Sequence, residues 1–324
     1  MTPQLNPQTH LQWFKDKISK IDQVVLFLIL MLSTIFYSGI HLSASTNQIQ
    51  VNNTGDQALA GGASVCDTDL TDGATVTCTL RAAIEFANAN ANNGTIDEII
   101  FTGLTGADIV ITIGSDLPTI TEQIYIDGTD GDGHIRDITI EGGGTANVDG
   151  FLFDGNNSHG SKLENLVVRG FKDYNLKINN SVRTAATTYL IQNNYFGVDQ
   201  DGSTVYTGTS NYNVYFQSSD HINFNSNTAA GKRWYHLYAS SSDNVNIQNS
   251  NLGATSSGAK VVDNSNNMVV SGYGVYALNS DHVTIDDNVI GGMEGSYAIE
   301  VQTGDNFTIT DNRVCISATN VNLC

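Results

Sequence analysis

The chain has 324 residues, with 33 acidic against 14 basic side chains and a formal net charge of -19. Beyond Ser45 the imbalance deepens to 31 acidic against 11 basic. Such a surface repels phosphate backbones and anionic lipid, which excludes nucleic acid as a partner and disfavours unaided docking on polyanions.

In chain order, Lys15, Lys17 and Lys20 precede a 17-residue apolar run from Val24 to Ile40, followed by Ser43, Ala44 and Ser45. A basic stretch, an apolar stretch and small residues predict a signal peptide or signal anchor over 1–45, with an exported body and no further membrane segment. Export suits the four cysteines, all beyond this segment. Two sequence-local pairs are expected, Cys66 with Cys78 and Cys315 with Cys324, neither with zinc-like histidine spacing. Residues 46–94 then read as an N-terminal cap. Leu80, Ala83, Ile84 and Ala87 recur at helical spacing and predict a short helix that stops between Asn90 and Gly94.

Residues 95–324 read as repeats. Ser219–Asn227, Ser242–Ser250, Ser280–Asn288 and Gly304–Asn312 are near-copies, with first apolar positions Ile222, Val245, Val283 and Phe307 spaced by 23, 38 and 24. A weaker copy around Met268 splits the 38 into 23 and 15. Each copy alternates apolar and polar, as Val283 and Ile285 do around Thr284, which predicts a strand with one buried face. A tyrosine-led strand precedes it at Tyr212, Tyr235, Tyr273 and Tyr297, and a third short strand such as Val289-Ile290 follows. Three short strands per ~23 residues, with no helix between them, predict one coil of a parallel β-helix whose turns stack ~4.8 Å apart. The chain holds only three prolines, as fully paired strands require. Upstream, Tyr189–Asn194 and Leu166–Gly170 fit one register, and Ile124–Gly128 and Ile138–Ile140 look like the first rungs. The expected architecture is an all-β parallel β-helix of about eight to ten coils. The helix near Leu80 would cap its open edge. Asn194, Asn227, Asn288 and Asn312, with Ser250 between, are expected to stack as a hydrogen-bonded column.

The segment Cys78-Thr79-Leu80-Arg81-Ala82-Ala83-Ile84 resembles the Cys-Ser-Leu-Arg-Glu-Ala-Ile motif of exported bacterial right-handed parallel β-helix proteins of the pectate lyase-like superfamily. Leu117–Ile120, Ile124–Gly128 and Leu163–Phe171 are similar to later segments of that group. The chain departs from the motif at Thr79 and Ala82. Proteins of that group often end in a sorting or anchoring module, so a chain stopping soon after a rung reads as a truncated one. The resemblance implies fold and export, and little chemistry, because this scaffold carries lyases, hydrolases, epimerases and adhesins alike.

Function must therefore come from surface columns. Tyr174, Tyr212, Tyr235, Tyr273 and Tyr297 share parity with the inward Leu176, Val214, Leu237, Val275 and Ile299, which predicts a structural aromatic stack at the coil's corner. The next outward column is Lys177, Tyr215, Tyr238, Tyr276 and Glu300, flanked by Asn175, Asn213 and His236. Lys232, Arg233, Trp234 and His236 form the densest basic and aromatic cluster. Outward aromatics at the rung spacing suit stacking on sugar rings. Asp220, Asp243, Asp281 and Asp305 precede equivalent strands and either cap turns or share Ca²⁺. The stretch Asp127–Gly133 is calcium-like but lacks a distal glutamate. For catalysis, Asp286 and Asp287 are adjacent carboxylates, with Lys177 and Arg183 as candidate bases. The expected function is binding of polysaccharide or of a host or cell surface, as in an adhesin. The alternatives are a lyase or hydrolase of acidic polysaccharide and a rigid spacer in a longer surface protein. The sequence sets no oligomeric state.

Overall fold

The computed structural model describes residues 46–315 apart from 72–74, 91, 93, 107, 130–134, 144–147, 183–186, 207–210, 232–233, 260, 262–271 and 294–296. Every named strand pairing is parallel, and the strands fall into three sheets of nine, eight and six strands. Sheet A contains Thr46–Val51, Ile96–Phe101, Ile124–Asp127, Lys162–Glu164, Tyr189–Gln192, Ile222–Asn225, Val245–Gln248, Thr284–Asp286 and Thr308–Thr310. Sheet B runs from Ile109–Thr112 to Arg313–Val314, and sheet C from Phe151–Asp154 to Ile299–Gln302. The chain visits A, B and C in turn and returns to A one rung along. That is a parallel β-helix.

The alternation read in the repeats places one apolar residue per strand in register with the next. Ile49, Ile99, Ile126, Leu163, Ile191, Phe224, Ile247 and Ile285 form one such column in sheet A. All eight belong to one buried core. Each such burial is worth about 1.5–3 kcal/mol, so the column alone is a large part of what holds the coils together.

The corners are held by polar ladders. At the A-to-B corner the Asn194, Asn227, Ser250, Asn288 and Asn312 side chains each accept the backbone N–H of the residue one rung earlier, at 2.9–3.1 Å. The expected asparagine column is present, and Ser250 serves within it. At the C-to-A corner Ser181, Ser219, Ser242 and Ser280 are linked in the same way, each N–H donating to the next serine hydroxyl. These corners need left-handed backbone: Asn193, Ser226, Asn249 and Asp287 all have φ between 52° and 57°. Short polar side chains tolerate that conformation, which accounts for the Asn, Ser and Asp of the repeats.

The helix α1, Leu80–Ala89, packs on Thr46–Val51 and Ile96–Phe101, and its apolar side buries Leu80, Ala83, Ile84 and Ala87. Thr79 caps it, accepting from the Ala82 N–H and donating to the Gln57 carbonyl. Arg81 ties α1 to the coil, bonding Asp56 at 2.9 Å and the carbonyls of Ser115 and Asp116 at 2.7 and 2.8 Å. Cys66 and Cys78 are joined across 12 residues. Replacing both with serine is expected to lower stability by about 3 kcal/mol through loop-closure entropy. Guanidinium unfolding with and without reductant checks this: the wild type should fall to the variant's midpoint only when reduced. Cys315 is also disulfide-bonded; Cys324 and the leader lie outside the described residues. Among the described residues no helix is long and apolar enough to cross a membrane.

Three expectations about register change. Leu166–Gly170 is not the rung before Tyr189–Asn194. Val167–Arg169 is a sheet B strand paired with Tyr195–Phe196, and the sheet A neighbour of Tyr189–Gln192 is Lys162–Glu164. Val245–Gln248 pairs directly with Thr284–Asp286, so the 38-residue spacing spans a single coil. Met268, the centre of the expected weak copy, lies outside the described residues. The first rungs begin earlier than Ile124, at Thr46–Val51 and Ile96–Phe101.

Candidate functional site

Sheet C carries the tyrosines. Their strands share one burial sequence over six positions: half-buried, buried, buried, half-buried, buried, half-buried. Two consecutive buried positions break simple alternation. Tyr174, Tyr212, Tyr235 and Tyr273 therefore turn outward, against their expected parity, while Tyr212, Tyr235 and Tyr273 do form the expected aromatic stack. Their neighbours Asn175, Asn213 and His236 turn inward and are at most 1 % exposed.

His236 is thus no part of an outer binding face, contrary to expectation. Its Nδ1 meets Asn213 Nδ2 at 3.4 Å, and Asn175 donates to Asn213 at 3.1 Å, making an internal polar row across three rungs. The His236 Nε2 has no hydrogen-bond partner. Burial depresses its pKa from 6.5 to about 3, so the ring is neutral in the folded protein. The unfolded chain protonates near 6.5 and the folded one near 3. Stability is therefore full above 6.5 and falls as the pH drops through that window, by up to about 1.4 kcal/mol per unit. Denaturation between pH 7 and 4 is expected to show this slope, and His236→Asn, the residue its neighbours carry, should flatten it.

The outward column reads Leu152, Lys177, Tyr215, Tyr238, Tyr276 and Glu300 in register. It lies against the Tyr212, Tyr235 and Tyr273 column. Along the axis Tyr212 and Tyr235 stack at 5.2 Å with planes 7° apart, and Tyr215 and Tyr238 at 5.0 Å and 13°. Across the columns Tyr212 and Tyr215 stack at 4.9 Å, and Tyr235 and Tyr238 at 5.0 Å. The Lys177 ammonium sits 4.9 Å from the Tyr215 ring centroid. Ring faces in the middle of this array are thus taken by one another and by Lys177. Stacking of sugar on Tyr215 and Tyr238 is excluded in this arrangement; edges and hydroxyls are what they offer. Tyr276 is tilted 53° from Tyr238, and Trp234 is 48 % exposed at the rim. Burial raises the phenol pKa of Tyr215 and Tyr235 to about 12, so both stay protonated donors. Burial also lowers the Lys177 pKa, opposed by Asp154, Asp149 and Asp173. Lys232 and Arg233 lie outside the described residues.

The aspartate column is a backbone ladder. Asp220 accepts the Asp243 N–H at 2.9 Å, Asp243 the Asp281 N–H at 2.7 Å, and Asp281 the Asp305 N–H at 2.7 Å. Turn capping, one of the two readings of this column, is what these bonds perform. Among the described residues no group of three or more histidine, cysteine or acidic side chains is placed to hold a metal ion. The Asp127 carboxylate is taken by the Thr129 N–H and hydroxyl and by Asn165; residues 130–134 lie outside the described set.

The catalytic candidates do not converge. Asp286 is on sheet A and accepts from the Thr310 hydroxyl, while Asp287 forms the left-handed turn beside it. Lys177 is on sheet C, and Arg183 lies outside the described residues. A second acidic ladder escaped the sequence reading: the Asp149 N–H bonds Asp116 and the Asp173 N–H bonds Asp149, at 2.8 and 3.0 Å, where sheet C begins. Their spacings of 33 and 24 residues differ because the intervening loops differ, which hid the column.

Neither a protein-family model nor a curated protein sequence matches the chain. Among solved structures, a mutant of the periplasmic alginate epimerase AlgG aligns with 66% of this chain and 51% of its own, at 11% identity and TM-score 0.24. The chain thus spans about half the length of that protein. So distant a likeness carries no argument about chemistry.

Proposed function

We propose that this is an exported β-helix protein that binds a polysaccharide along the outer face of sheet C. The observation that carries the reading is the pair of tyrosine columns across three successive rungs. The hydroxyls of Tyr212, Tyr215, Tyr235, Tyr238 and Tyr276 enter no hydrogen bond with the described residues, although each ring is half-buried. Self-stacking fixes these rings, so a ligand meets a row of phenol hydroxyls without first ordering them. Rungs repeat at ~4.8 Å, which suits a chain of hydroxyl-bearing units laid along the axis. The Tyr276 ring, tilted 53° from Tyr238, presents a different face from the stacked tyrosines for a sugar to approach. Export is supported by the Cys66–Cys78 disulfide, since such bonds persist in oxidising compartments. The basic, apolar and small-residue order of residues 1–45 and the cap motif at Cys78–Ile84 point the same way.

Phenylalanine separates the two modes of contact. In Tyr215→Phe/Tyr238→Phe the stack survives and two donors vanish, so glycan affinity should fall about tenfold or more, at ~0.5–1.5 kcal/mol per hydrogen bond. Affinity electrophoresis against a polysaccharide panel measures it. Wild-type retention by the double variant refutes the hydroxyl row, and loss in Trp234→Ala alone would move the site to the rim.

A further inference from the structure

Sheet B carries a second concave feature, separate from the tyrosine face. Its outer surface at Val110, Thr139 and Val167, which lie in register, is walled by the hairpin that bridges Val198 to Val205. Val167, Tyr195, Val198, Val205, Ala230 and Val261 form a small apolar cluster outside the main core, which pins that hairpin to the sheet. Asp201 accepts from the backbone N–H groups of Ser203 and Thr204, and the Asp199 N–H donates to the Thr204 carbonyl, so the wall is internally bonded. The space between wall and sheet is a cleft of about 580 Å³.

The chemistry of this cleft is selective. Arg169 is its cation, and it is committed: Nε donates to Glu141 at 3.0 Å and Nη1 to Asp199 at 2.6 Å. Glu141 also accepts from the Tyr206 hydroxyl at 3.0 Å. Facing the opening are Asp108, whose side chain makes no hydrogen bond with the described residues, and Asp199, whose second carboxylate oxygen makes none with them. Thr139 lines the floor at only 2 % exposure, and its hydroxyl makes no side-chain hydrogen bond with the described residues. Beside it Val110 offers an exposed apolar patch. Carboxylate acceptors whose one cation among the described lining residues is already paired disfavour uronates and sulfated sugars. No acidic trio is placed for a metal among the described residues. What remains is a ligand with hydroxyl donors for Asp108 and Asp199, an acceptor for Thr139 and an apolar face for Val110.

We propose that the sheet B cleft is a binding site for a neutral saccharide, large enough for about two or three sugar units. It is independent of the tyrosine face, which lies on a different sheet.

The test is titration calorimetry of the full exported chain with cello-, manno-, xylo- and galacto-hexaose, with hexagalacturonate and chitosan hexamer as charged probes. At least one neutral hexaose should bind and outbind both charged probes. Thr139→Val and Asp108→Asn, neither of which breaks a protein hydrogen bond, should each weaken that binding about tenfold. Tyr215→Phe/Tyr238→Phe should leave this component unchanged, so failure of the tyrosine reading shows separately. Absence of neutral-hexaose binding overturns the proposal, as does tighter binding of either charged probe. Unaltered affinity in both cleft variants overturns it too.

Discussion

Asn227→Ala is expected to cost about 3–5 kcal/mol, among the largest effects of any single polar substitution in this chain. The Asn227 Oδ1 accepts two donors from the preceding rung, the Asn194 N–H at 2.9 Å and the Asn194 amide at 3.2 Å. Its Nδ2 donates to the Ile191 carbonyl at 2.8 Å. The side chain is 1 % exposed, so water cannot substitute for it. Alanine strands two donors and a carbonyl, each worth about 1–3 kcal/mol when buried and unpaired, with partial relaxation reducing the sum. Asn227→Ser should recover roughly half, because Ser250 occupies this column naturally and accepts the Asn227 N–H at 3.1 Å. Asn225→Ala removes only the exposed bond from Asn249 and should stay within about 0.5 kcal/mol. Urea unfolding of the three variants gives the comparison. Equal losses in Asn227→Ala and Asn225→Ala would mean that the ladder contributes nothing special.

That ladder was legible in the sequence because its members keep a constant place in near-identical repeats. Ile222, Val245 and Val283 announce their sheet by the same logic: period two plus a fixed offset from Ser-Asp. Register failed where loops vary. Val167-Val168-Arg169 has the right alternation for sheet A, yet only its pairing with Tyr195–Phe196 shows that it belongs to sheet B. Alternation names a face, not which of three sheets the strand joins.

The site was less legible. Parity assigned Tyr212 and Tyr235 inward and Asn213 and His236 outward, and the structure reverses both pairs. The ladder skips from Tyr212↔Tyr235 to Val214↔Leu237, so the strand turns a corner there and two successive residues point inward. One hint was available: Asp173 and Asn211 immediately precede Tyr174 and Tyr212, which is poor company for an inward ring. The cleft of sheet B was invisible for a different reason. Glu141 and Arg169 are adjacent in register but 28 residues apart, and the wall that faces them comes from a hairpin inserted between Phe196 and Tyr212.

Gly253→Ala should be the most damaging backbone change, at about 3–5 kcal/mol. Gly253 sits at φ +74°, and a Cβ there would lie 1.8 Å from the Gly291 carbonyl oxygen and 2.5 Å from His236 Nε2. The oxygen is backbone of the next coil and cannot swing away. Relief requires separating two coils whose spacing is set by the bond from the Gly291 N–H to the Leu252 carbonyl at 2.8 Å and by the pairing of Asn251–Leu252 with Val289–Ile290. Left-handed strain adds about 1–2 kcal/mol to that overpacking. Gly155→Ala isolates the strain component, because φ is +83° there and nothing lies within 4 Å of the added carbon. It should cost only about 1–2 kcal/mol. Because each coil touches only its neighbours, the damage in Gly253→Ala should stay local. Hydrogen exchange should show protection lost first at Asn251–Leu252 and Val289–Ile290, while the strands from Ile96 to Ile191 keep theirs. Uniform loss along the whole solenoid, or equal cost for the two glycine variants, would contradict the close approach of these coils as the cause.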